Sequence, residues 1–319
     1  MFKPSEGVRP ALWRGVADAL LALALTGPAA VGLAALSGVG HRWVDLVAQF
    51  TAPALVVALA GLAFAAGLRL RLAGLSGALA LALLAAALWG QVAPARPTPA
   101  ADEARLTVYV ANLHEANADL DRIAASIADA DADVVMLVEV GPAVAADLDR
   151  ILPDHPHRAP TRITARGNLV ASRTPLEALP GRADGLSARG AQVQTPLGPV
   201  RVFATHLTRP WPFQYQWGQI SQVMALEARM AEGEGPVIAA GDFNSVSTAR
   251  IGRQMRDLGL APAPAWPGTW PTGVPAPARI AIDHLWASPE LTVVSRRLGR
   301  PTGSDHSPVI VELARAEAG

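Results

Sequence analysis

Three long apolar stretches dominate the first part of the chain. Between Arg14 and His41 the only charged residue is Asp18, and the next two stretches carry no charge at all. Because a helix needs about 20 apolar residues to cross the hydrocarbon core of a bilayer, each stretch is long enough to span a membrane. The alternative, buried helices of a water-soluble protein, fits poorly with three such stretches in succession. The pattern predicts transmembrane helices at about residues 17–39, 45–68 and 72–92.

Basic residues flank these stretches unevenly. Three precede the first stretch, and Arg69 and Arg71 lie between the second and the third, whereas the remaining flanks hold only Arg42 and Arg96. Cytoplasmic flanks of membrane helices are enriched in Lys and Arg. This distribution predicts a cytoplasmic N-terminus, and three spans then place everything after residue 92 outside the cytoplasm. Two prolines, at positions 28 and 53, fall within predicted spans, where proline is better tolerated than in water-soluble helices.

A segment rich in Pro and Ala, residues 93–104, separates the apolar part from the rest and predicts an extended linker. Residues 105–316 then form one domain of ordinary size. The chain from residue 101 onward has 20 basic and 24 acidic residues. A protein that binds duplex nucleic acid usually has a basic excess, so this balance disfavours such a partner without excluding it. The chain has no cysteine, which is compatible with either side of the membrane.

Short β-branched runs recur in the second part of the chain and predict a strand-rich domain. The predicted strands cover residues 106–112, 133–139, 168–172, 192–193, 200–206, 237–240, 280–287, 291–295 and 308–313. Apolar residues at helical spacing predict two helices, at 119–130 and 219–230. The segments 207–218 and 261–278 are predicted to be loops.

Several of the predicted strands end in a polar or ionisable residue. These residues are Asn112, Glu139, His206, Asp242 with Asn244, and Asp283. Since side chains alternate along a strand, Asp242 and Asn244 are expected on the same face. Each residue alone has a plainer interpretation, as a turn former, a core residue or a solvated strand end. Together these ends predict one shared site, to which Asp305 and His306 add a carboxylate and an imidazole.

The order of these motifs resembles the DNase I-like endonuclease/exonuclease/phosphatase superfamily. The resemblance covers residues 105–313 and is carried by the segments 110–113, 138–139, 167–173, 205–207, 241–244, 282–284 and 304–308. It implies an α+β fold, in which a two-layer β-sandwich is flanked by helices. With three predicted spans in front of that domain, the chain is similar to a bacterial membrane-anchored subgroup.

The resemblance also implies a role for each motif residue. One or two Mg²⁺ or Mn²⁺ ions are expected to be held by Glu139, Asn112 and Asp305. Catalysis is expected from Asp242, Asn244, His206 and His306, with Asp283 fixing the tautomer of His306. The substrate phosphate is expected to contact Asn112, Asn168, Asn244 and His206. A structural role is expected for His284.

These expectations predict a membrane-anchored, metal-dependent hydrolase of a phosphodiester or a phosphomonoester. The predicted anchor slightly favours a lipid-linked phosphate as substrate. Four aromatic residues between Trp211 and Trp217 form either a packed loop or a wall that contacts substrate or lipid. Arginines expected near the phosphate are Arg162, Arg166, Arg173 and Arg209. Two alternatives stay open, namely an extracytoplasmic nuclease acting on DNA or RNA and a non-catalytic membrane scaffold.

Overall fold

Four helices account for the N-terminal part of the chain: α1 (Val8–Leu36), α2 (Arg42–Ala48), α3 (Thr51–Leu68) and α4 (Arg71–Val92). The structure, a computed structural model, describes residues 8–100, 104–163, 167–211 and 216–317. It divides into two units, Met1–Gly90 and Gln91–Gly319. Within these described ranges, three helical segments are long and apolar enough to cross a membrane: Leu12–Leu36, Thr51–Leu68 and Arg71–Val92. They leave large apolar side chains such as Leu20, Val57 and Leu75 exposed, as expected of helices that face lipid.

The second predicted span differs from the structure, because the helix expected over 45–68 is divided into α2 and α3 at Gln49 and Phe50. The cause is Pro53. A proline has no N–H to donate, and its ring collides with the carbonyl four residues earlier, which here belongs to Gln49. In α3 this proline occupies the first turn, where a missing N–H costs no intrahelical bond. By contrast, Pro28 lies inside α1, which continues through it.

Glycines allow the long helices to approach one another closely. A Cβ placed on Gly32 of α1 would lie 2.8 Å from Leu83 Cβ of α4. A Cβ placed on Gly61 of α3 would lie 2.6 Å from Leu25 Cδ2 of α1. Small residues at helix crossings are typical of membrane bundles, where packing rather than exclusion of water drives association.

Two six-stranded sheets form the second unit. The first sheet has the order β11-β12-β1-β2-β4-β3 and the second has the order β5-β6-β7-β8-β10-β9. Strands of the first sheet are β1 (Leu106–Asn112), β2 (Val134–Val140), β3 (His157–Ala159), β4 (Gly167–Ser172), β11 (Leu291–Leu298) and β12 (Val309–Arg315). Strands of the second are β5 (Leu176–Ala178), β6 (Ser187–Thr195), β7 (Gly198–His206), β8 (Val237–Asp242), β9 (Ala261–Pro262) and β10 (Asp283–Ala287).

Helices cover the outer faces of both sheets, so the predicted α+β fold of a helix-flanked, two-layer β-sandwich is confirmed. The helices are α5 (Leu120–Ala130), α6 (Pro142–Ala146), α7 (Leu148–Ile151), α8 (Gln216–Met230) and α9 (Arg250–Asp257), with a 3₁₀ turn at Ala276–Ala278. A core of aliphatic residues, including Val110, Met136 and Val202, fills the space between the sheets. Ile123 of α5 packs on the first sheet and Leu226 of α8 packs on the second.

Each sheet contains one parallel pair of central strands, and this arrangement positions the functional residues. In the first sheet β1 is parallel to β2, and in the second β7 is parallel to β8. Parallel neighbours end at the same edge of a sheet. The polar residues that end β1, β2, β7 and β8 therefore lie at one edge of the sandwich.

Candidate active site

Three candidate residues form a row across the second sheet. The register of β7 with β8 places His206 beside Asp242, and the register of β8 with β10 places Asp242 beside Asp283. Gly241 precedes this row with a φ of 140°, and a Cβ there would lie 2.0 Å from the carbonyl oxygen of Thr205. Only glycine fits such a close approach of two strands. The row therefore depends on Gly241 as well as on the polar residues.

Asn112 and Glu139 reach the same place from the first sheet. The amide nitrogen of Asn112 donates to Glu139 Oε1 and to Asp242 Oδ2, both at 3.0 Å. Its amide oxygen accepts a hydrogen bond from the backbone N–H of His114 at 2.9 Å. Asn112 thus links a carboxylate from each sheet, and these three hydrogen bonds lie within the site or its adjoining loop.

Two candidate residues have left-handed backbone conformations. Glu139 has a φ of 52° and lies where the pairing of β2 with β4 shifts register between Leu137 and Val140. A bulge of this kind turns a side chain away from the regular alternation of a strand. Asn244 has a φ of 48°. Such conformations are costly for residues other than glycine and cluster at functional sites.

The expectation that Asp242 and Asn244 share a strand face is wrong, because β8 ends at Asp242. Asn244 instead follows a turn in which its backbone N–H donates to Asp242 Oδ1 at 2.8 Å. This is the turn-forming role of an aspartate. The turn brings the Asn244 amide to 3.4 Å from His206 Nε2 and 3.3 Å from Asp242 Oδ2. Asp242 therefore forms the turn and also presents its second oxygen to the site.

Asp283 and His306 form a buried pair. His306 Nδ1 donates to Asp283 Oδ2 at 2.8 Å, and His306 Nε2 lies 3.9 Å from Asp242 Oδ2. Burial alone lowers the pKa of His306, but the charge and hydrogen bond of Asp283 outweigh it, and the pKa rises to about 10. Burial raises the pKa of Asp242. The pair fixes which ring nitrogen of His306 faces the site.

The arrangement fits a divalent cation. Glu139, His206 and Asp242 offer ligand atoms within 4.8 Å of one another, and so do Asp242, Asp283 and His306. Carboxylate oxygens are ligands for a hard divalent cation, and an imidazole nitrogen beside them is a ligand for divalent transition metals. Asp283 Oδ1 is buried without a hydrogen-bond partner among the described residues. The two sets of ligand atoms share Asp242, so the site could hold one or two ions.

A cavity of about 390 Å³ opens beside this cluster. It is lined by Glu115, Glu139, Gly167, Asn168, Ser187, His206 and Arg209. Asn168 is buried, and its amide nitrogen donates to the carbonyl oxygens of Ser187 at 2.8 Å and Ala204 at 3.2 Å. Its side chain thereby holds β4 to the second sheet at the cavity wall. His206 is partly exposed to the cavity.

A sequence profile of the endonuclease/exonuclease/phosphatase family matches residues 108–306, which include every candidate residue of the site. The chain belongs to this family. Members of the endonuclease/exonuclease/phosphatase family are phosphoesterases and nucleases that depend on divalent metals. A search of curated proteins finds no match for this chain.

Solved structures of the family share the fold of the second unit. An endonuclease/exonuclease/phosphatase from Beutenbergia cavernae is 24% identical, with a TM-score of 0.52 over 67% of this chain and 72% of that one. D. rerio TDP2, complexed with a single-strand DNA product, is 19% identical, with a TM-score of 0.51 over 66% and 99% of the two chains. A mannosyl-6-phosphatase from Bacteroides thetaiotaomicron is 18% identical, with a TM-score of 0.51 over 66% and 99%.

Other residues expected at the family site are placed less centrally. Asp305 is exposed, and its Oδ2 accepts a hydrogen bond from Trp270 Nε1 at 3.0 Å rather than joining either metal-ligand group. Arg209 lines the cavity, whereas Arg162 is exposed on the surface. Arg173 lies at the other end of the sheet, because it follows Ser172, the partner of Val134 at the start of β2, and it pairs with Asp131. The expectation that it lies near the phosphate is wrong.

Positions 166 and 212–215 lie outside the described residues, so the structure leaves Arg166 and most of the aromatic segment without a description. Trp211 and Trp217 at its ends are 56% and 68% exposed.

Two residues that support the site were not predicted from the sequence. Thr269 Oγ1 accepts a hydrogen bond from the backbone N–H of Asp283 at 3.3 Å. Trp270 holds Asp305 and has its ring centre 6.4 Å from that of His306. Both lie in the segment predicted as a loop, where no periodicity indicates which side chains face inward. By contrast, His284 is buried, and its Nε2 donates to Ser245 O at 2.8 Å.

Proposed function

We propose that this chain is a membrane-anchored, divalent-metal-dependent phosphoesterase that hydrolyses a phosphodiester or phosphomonoester outside the cytoplasm. The observation that carries the proposal is the convergence of carboxylates and imidazoles from both sheets on Asp242. Glu139 and Asn112 come from the first sheet, and His206 and Asp283 come from the second. The cavity beside them could admit a phosphoryl group.

Each side chain has a role in this proposal. His306, held by Asp283, would place its Nε2 against a phosphoryl oxygen, and Asn244 and His206 would stabilise negative charge on the same group. The attacking water would lose its proton to Asp242, whose raised pKa suits a base, whereas His306 is protonated at neutral pH and would act as a donor. Asp242 Oδ2 and His306 Nε2 are 3.9 Å apart and can both contact one water. Asn168 and Asn112 would orient the phosphate from the first sheet.

Glu139 and Asp242 are the residues that would hold a divalent cation, with His206 beside them and Asn112 spacing the two carboxylates. When bound, such an ion supplies charge neutralisation and polarisation of the phosphoryl oxygen. The amide of Asn112 already contacts both carboxylates, so it would keep their oxygens at a fixed separation before binding.

A lipid-linked phosphate is the slightly favoured substrate. Three helices of membrane-spanning length precede the domain, and they would keep its site near a bilayer. The acidic balance of residues 101–319 would work against a long polyanion. The mannosyl-6-phosphatase, a relative in fold, is named for a small phosphate ester.

A nuclease is the second candidate. The D. rerio TDP2 structure favours it, since that protein has the same fold and is complexed with a single-strand DNA product. A single strand needs less basic surface than a duplex, and the exposed Trp211 and Trp217 could stack against unpaired bases.

The test is hydrolysis by the full chain, purified in a mild detergent. We expect Mg²⁺-dependent release of nitrophenol from bis-nitrophenyl phosphate, with loss of at least about 100-fold in Asp242→Ala and His306→Ala. Glu177→Gln, which removes an exposed carboxylate on the edge strand β5, is the matched control and should keep full activity. Turnover at the original rate in either folded site variant would refute the assigned roles.

The same preparation separates the candidate substrates. Phospholipid vesicles, plasmid DNA and single-stranded DNA are compared under identical metal concentrations. Faster product release from vesicles supports the lipid substrate, and faster cleavage of single-stranded DNA supports the nuclease. If the protein is folded and supplied with metal but hydrolyses none of these substrates, the result supports the non-catalytic scaffold.

A further inference from the structure

The helical unit contains a second cavity, remote in sequence from the family domain. It has a volume of about 540 Å³ and is lined by Trp13, Arg14 and Ala17 of α1 and by residues 67–70. Residues 67–70 include the end of α3 and the turn before α4. All of these positions lie at the ends of segments long enough to span a membrane. The cavity is thus at the level where lipid headgroups meet a bundle.

Hydrogen bonds fix the polar groups around this cavity. Arg14 Nη2 donates to the carbonyl oxygen of Leu68, one of the last carbonyls of α3, at 3.0 Å. Asp18 accepts from the first backbone N–H groups of α4, with Oδ1 2.8 Å from Ala73 N and Oδ2 3.2 Å from Leu72 N. The carboxylate of Asp18 is therefore used to cap α4 and is partly offset by the helix dipole.

The arginines at this end carry an excess of positive charge. Among the described residues, Arg14, Arg69 and Arg71 surround the cavity or adjoin it, and the carboxylate beside them is that of Asp18. Within the described part of the helical unit, none of these arginines forms a salt bridge with a carboxylate. Guanidinium groups pair readily with a phosphate, which they contact through two N–H groups at once.

Arg69 occupies a position that favours a different residue. It has a φ of 54° and follows the last residue of α3, where glycine is the usual choice. Keeping an arginine in this conformation is costly, and such outliers suggest a functional requirement. The requirement that fits is a positive charge at the mouth of the cavity.

Apolar surface adjoins the positive charge. Of the residues that line the cavity, Trp13 is 70% exposed and Leu68 is also exposed. Leu12 and Leu72, close to the lining in sequence, are exposed as well. An indole at the end of a membrane helix lies at headgroup level, and leucines face the acyl chains. A free phosphate would make no contact with this apolar rim, whereas a phospholipid would contact both the arginines and the apolar side chains.

We propose that this cavity, the headgroup site, binds the phosphate of an anionic phospholipid. Arg14 and Arg69 contact the phosphate, Arg71 adds charge at the rim, and Trp13 lies against the glycerol and upper acyl chains. The site is separate from the family site and does not depend on the proposed hydrolysis.

The test uses Trp13 as a reporter in the full chain, reconstituted in nanodiscs of phosphatidylcholine. A minor fraction of the lipid is either phosphatidylglycerol or phosphatidylcholine with brominated chains, which quench nearby tryptophan. Subtracting the signal of Trp13→Phe removes the other tryptophans. We expect brominated phosphatidylglycerol to quench Trp13 at least about twice as strongly as brominated phosphatidylcholine at the same fraction.

Variants distinguish the headgroup site from general attraction. Arg69→Gly suits the left-handed backbone and should lower the apparent affinity for phosphatidylglycerol about fivefold, whereas Arg69→Lys should retain most of it. Arg42→Gln removes a charge that stacks on Trp43 in another connection, and it should change nothing. Equal quenching by the two lipids, or a preference that survives Arg69→Gly combined with Arg71→Gln, would overturn the proposal. Abolition of the preference by millimolar glycerol phosphate would instead indicate a site for a soluble phosphate.

Discussion

At the scale of single residues, the Asp283–His306 pair is the part of the site with the most defined geometry. Asp283 accepts from His306 Nδ1 at 2.8 Å in a buried setting, which leaves Nε2 facing Asp242. Asp283→Asn would replace the acceptor with a group that can present an N–H to the ring. We expect kcat for bis-nitrophenyl phosphate to fall at least about 100-fold, with KM changed much less. Retention of kcat within threefold would show that Asp283 does not orient His306.

A different histidine should govern acid stability. Burial lowers the pKa of His284 from 6.5 to about 4. Between these values the unfolded chain binds a proton that the folded chain does not, so stability is complete above about pH 6.5 and falls as the pH decreases towards 4. The linked change is about 3 kcal/mol at most.

His284→Gln tests this prediction, because glutamine can still donate to Ser245 O but does not titrate. Urea unfolding of the full chain in detergent is followed at pH 7.5 and pH 5, with fluorescence from the neighbouring Trp286 as the probe. The wild type should lose more stability than the variant over this interval, by about 2 kcal/mol. Equal losses would mean that other groups govern the acid sensitivity.

Residues that terminate apolar strands were predictable, since a polar side chain after a buried run is costly unless it is used. Asn112 and His206 belong to this class. Asp283 does not, because it is the first residue of β10 and not the end of a strand. The way in which Asn244 reaches the site was not predictable, because the turn after β8 depends on a left-handed backbone conformation that no periodicity indicates. The same reason explains why Thr269 was missed. Its contact with Asp283 joins residues 14 apart through an irregular segment.

At the scale of elements, the approach of β7 to β8 determines whether His206 and Asp242 stay together. Gly241→Ala would place a methyl group 2.0 Å from the carbonyl of Thr205 and would strain a φ of 140°. The strands must separate, and displacement of reacting groups by about 1 Å can cost 100-fold in rate. We therefore expect kcat/KM to fall by at least about that factor, with a lower thermal midpoint.

Gly181→Ala is the matched control for this substitution. A Cβ there meets no atom closer than Arg189 Nη1 at 3.6 Å, an ordinary contact. It should leave both activity and the thermal midpoint unchanged. If Gly241→Ala behaved in the same way, the close approach of the two strands would not be needed for the site.

Long strands were predictable from sequence, and short or polar elements were not. β1 and β2 are continuous apolar runs. By contrast, β6 extends over Ser187–Thr195, although the sequence predicts a strand only at 192–193. Its first half is polar because it faces the cavity and solvent as well as the core. β3, β5 and β9 have two or three residues each, too few for any period. The polar helix α9 was missed for a related reason, since only a few of its residues are buried.

At the scale of the whole molecule, the apolar helices and the family domain were both evident from composition and motif order. The side of the membrane on which the family domain lies is predicted less directly, because it depends on the distribution of seven basic residues rather than on packing. This makes topology the prediction most open to a direct test. The chain offers a clean background, since it contains no cysteine that could react with a thiol reagent.

Single cysteines at Glu317 and at Ser5 would report the two ends of the chain. We expect a membrane-impermeant maleimide to label Glu317→Cys in spheroplasts with intact membranes, because three spans place the end of the domain outside the cytoplasm. Ser5→Cys should be labelled only after the membrane is opened, since its flank carries the basic residues that stay inside. The exposed position His41, in the first connection, provides a third reporter, and His41→Cys should react like Glu317→Cys.

Protection of Glu317→Cys in intact spheroplasts, with labelling of Ser5→Cys, would invert the orientation and place the phosphoesterase site in the cytoplasm. Labelling of both ends from outside would mean an even number of spans, and one of the three helices would then lie along the membrane rather than across it.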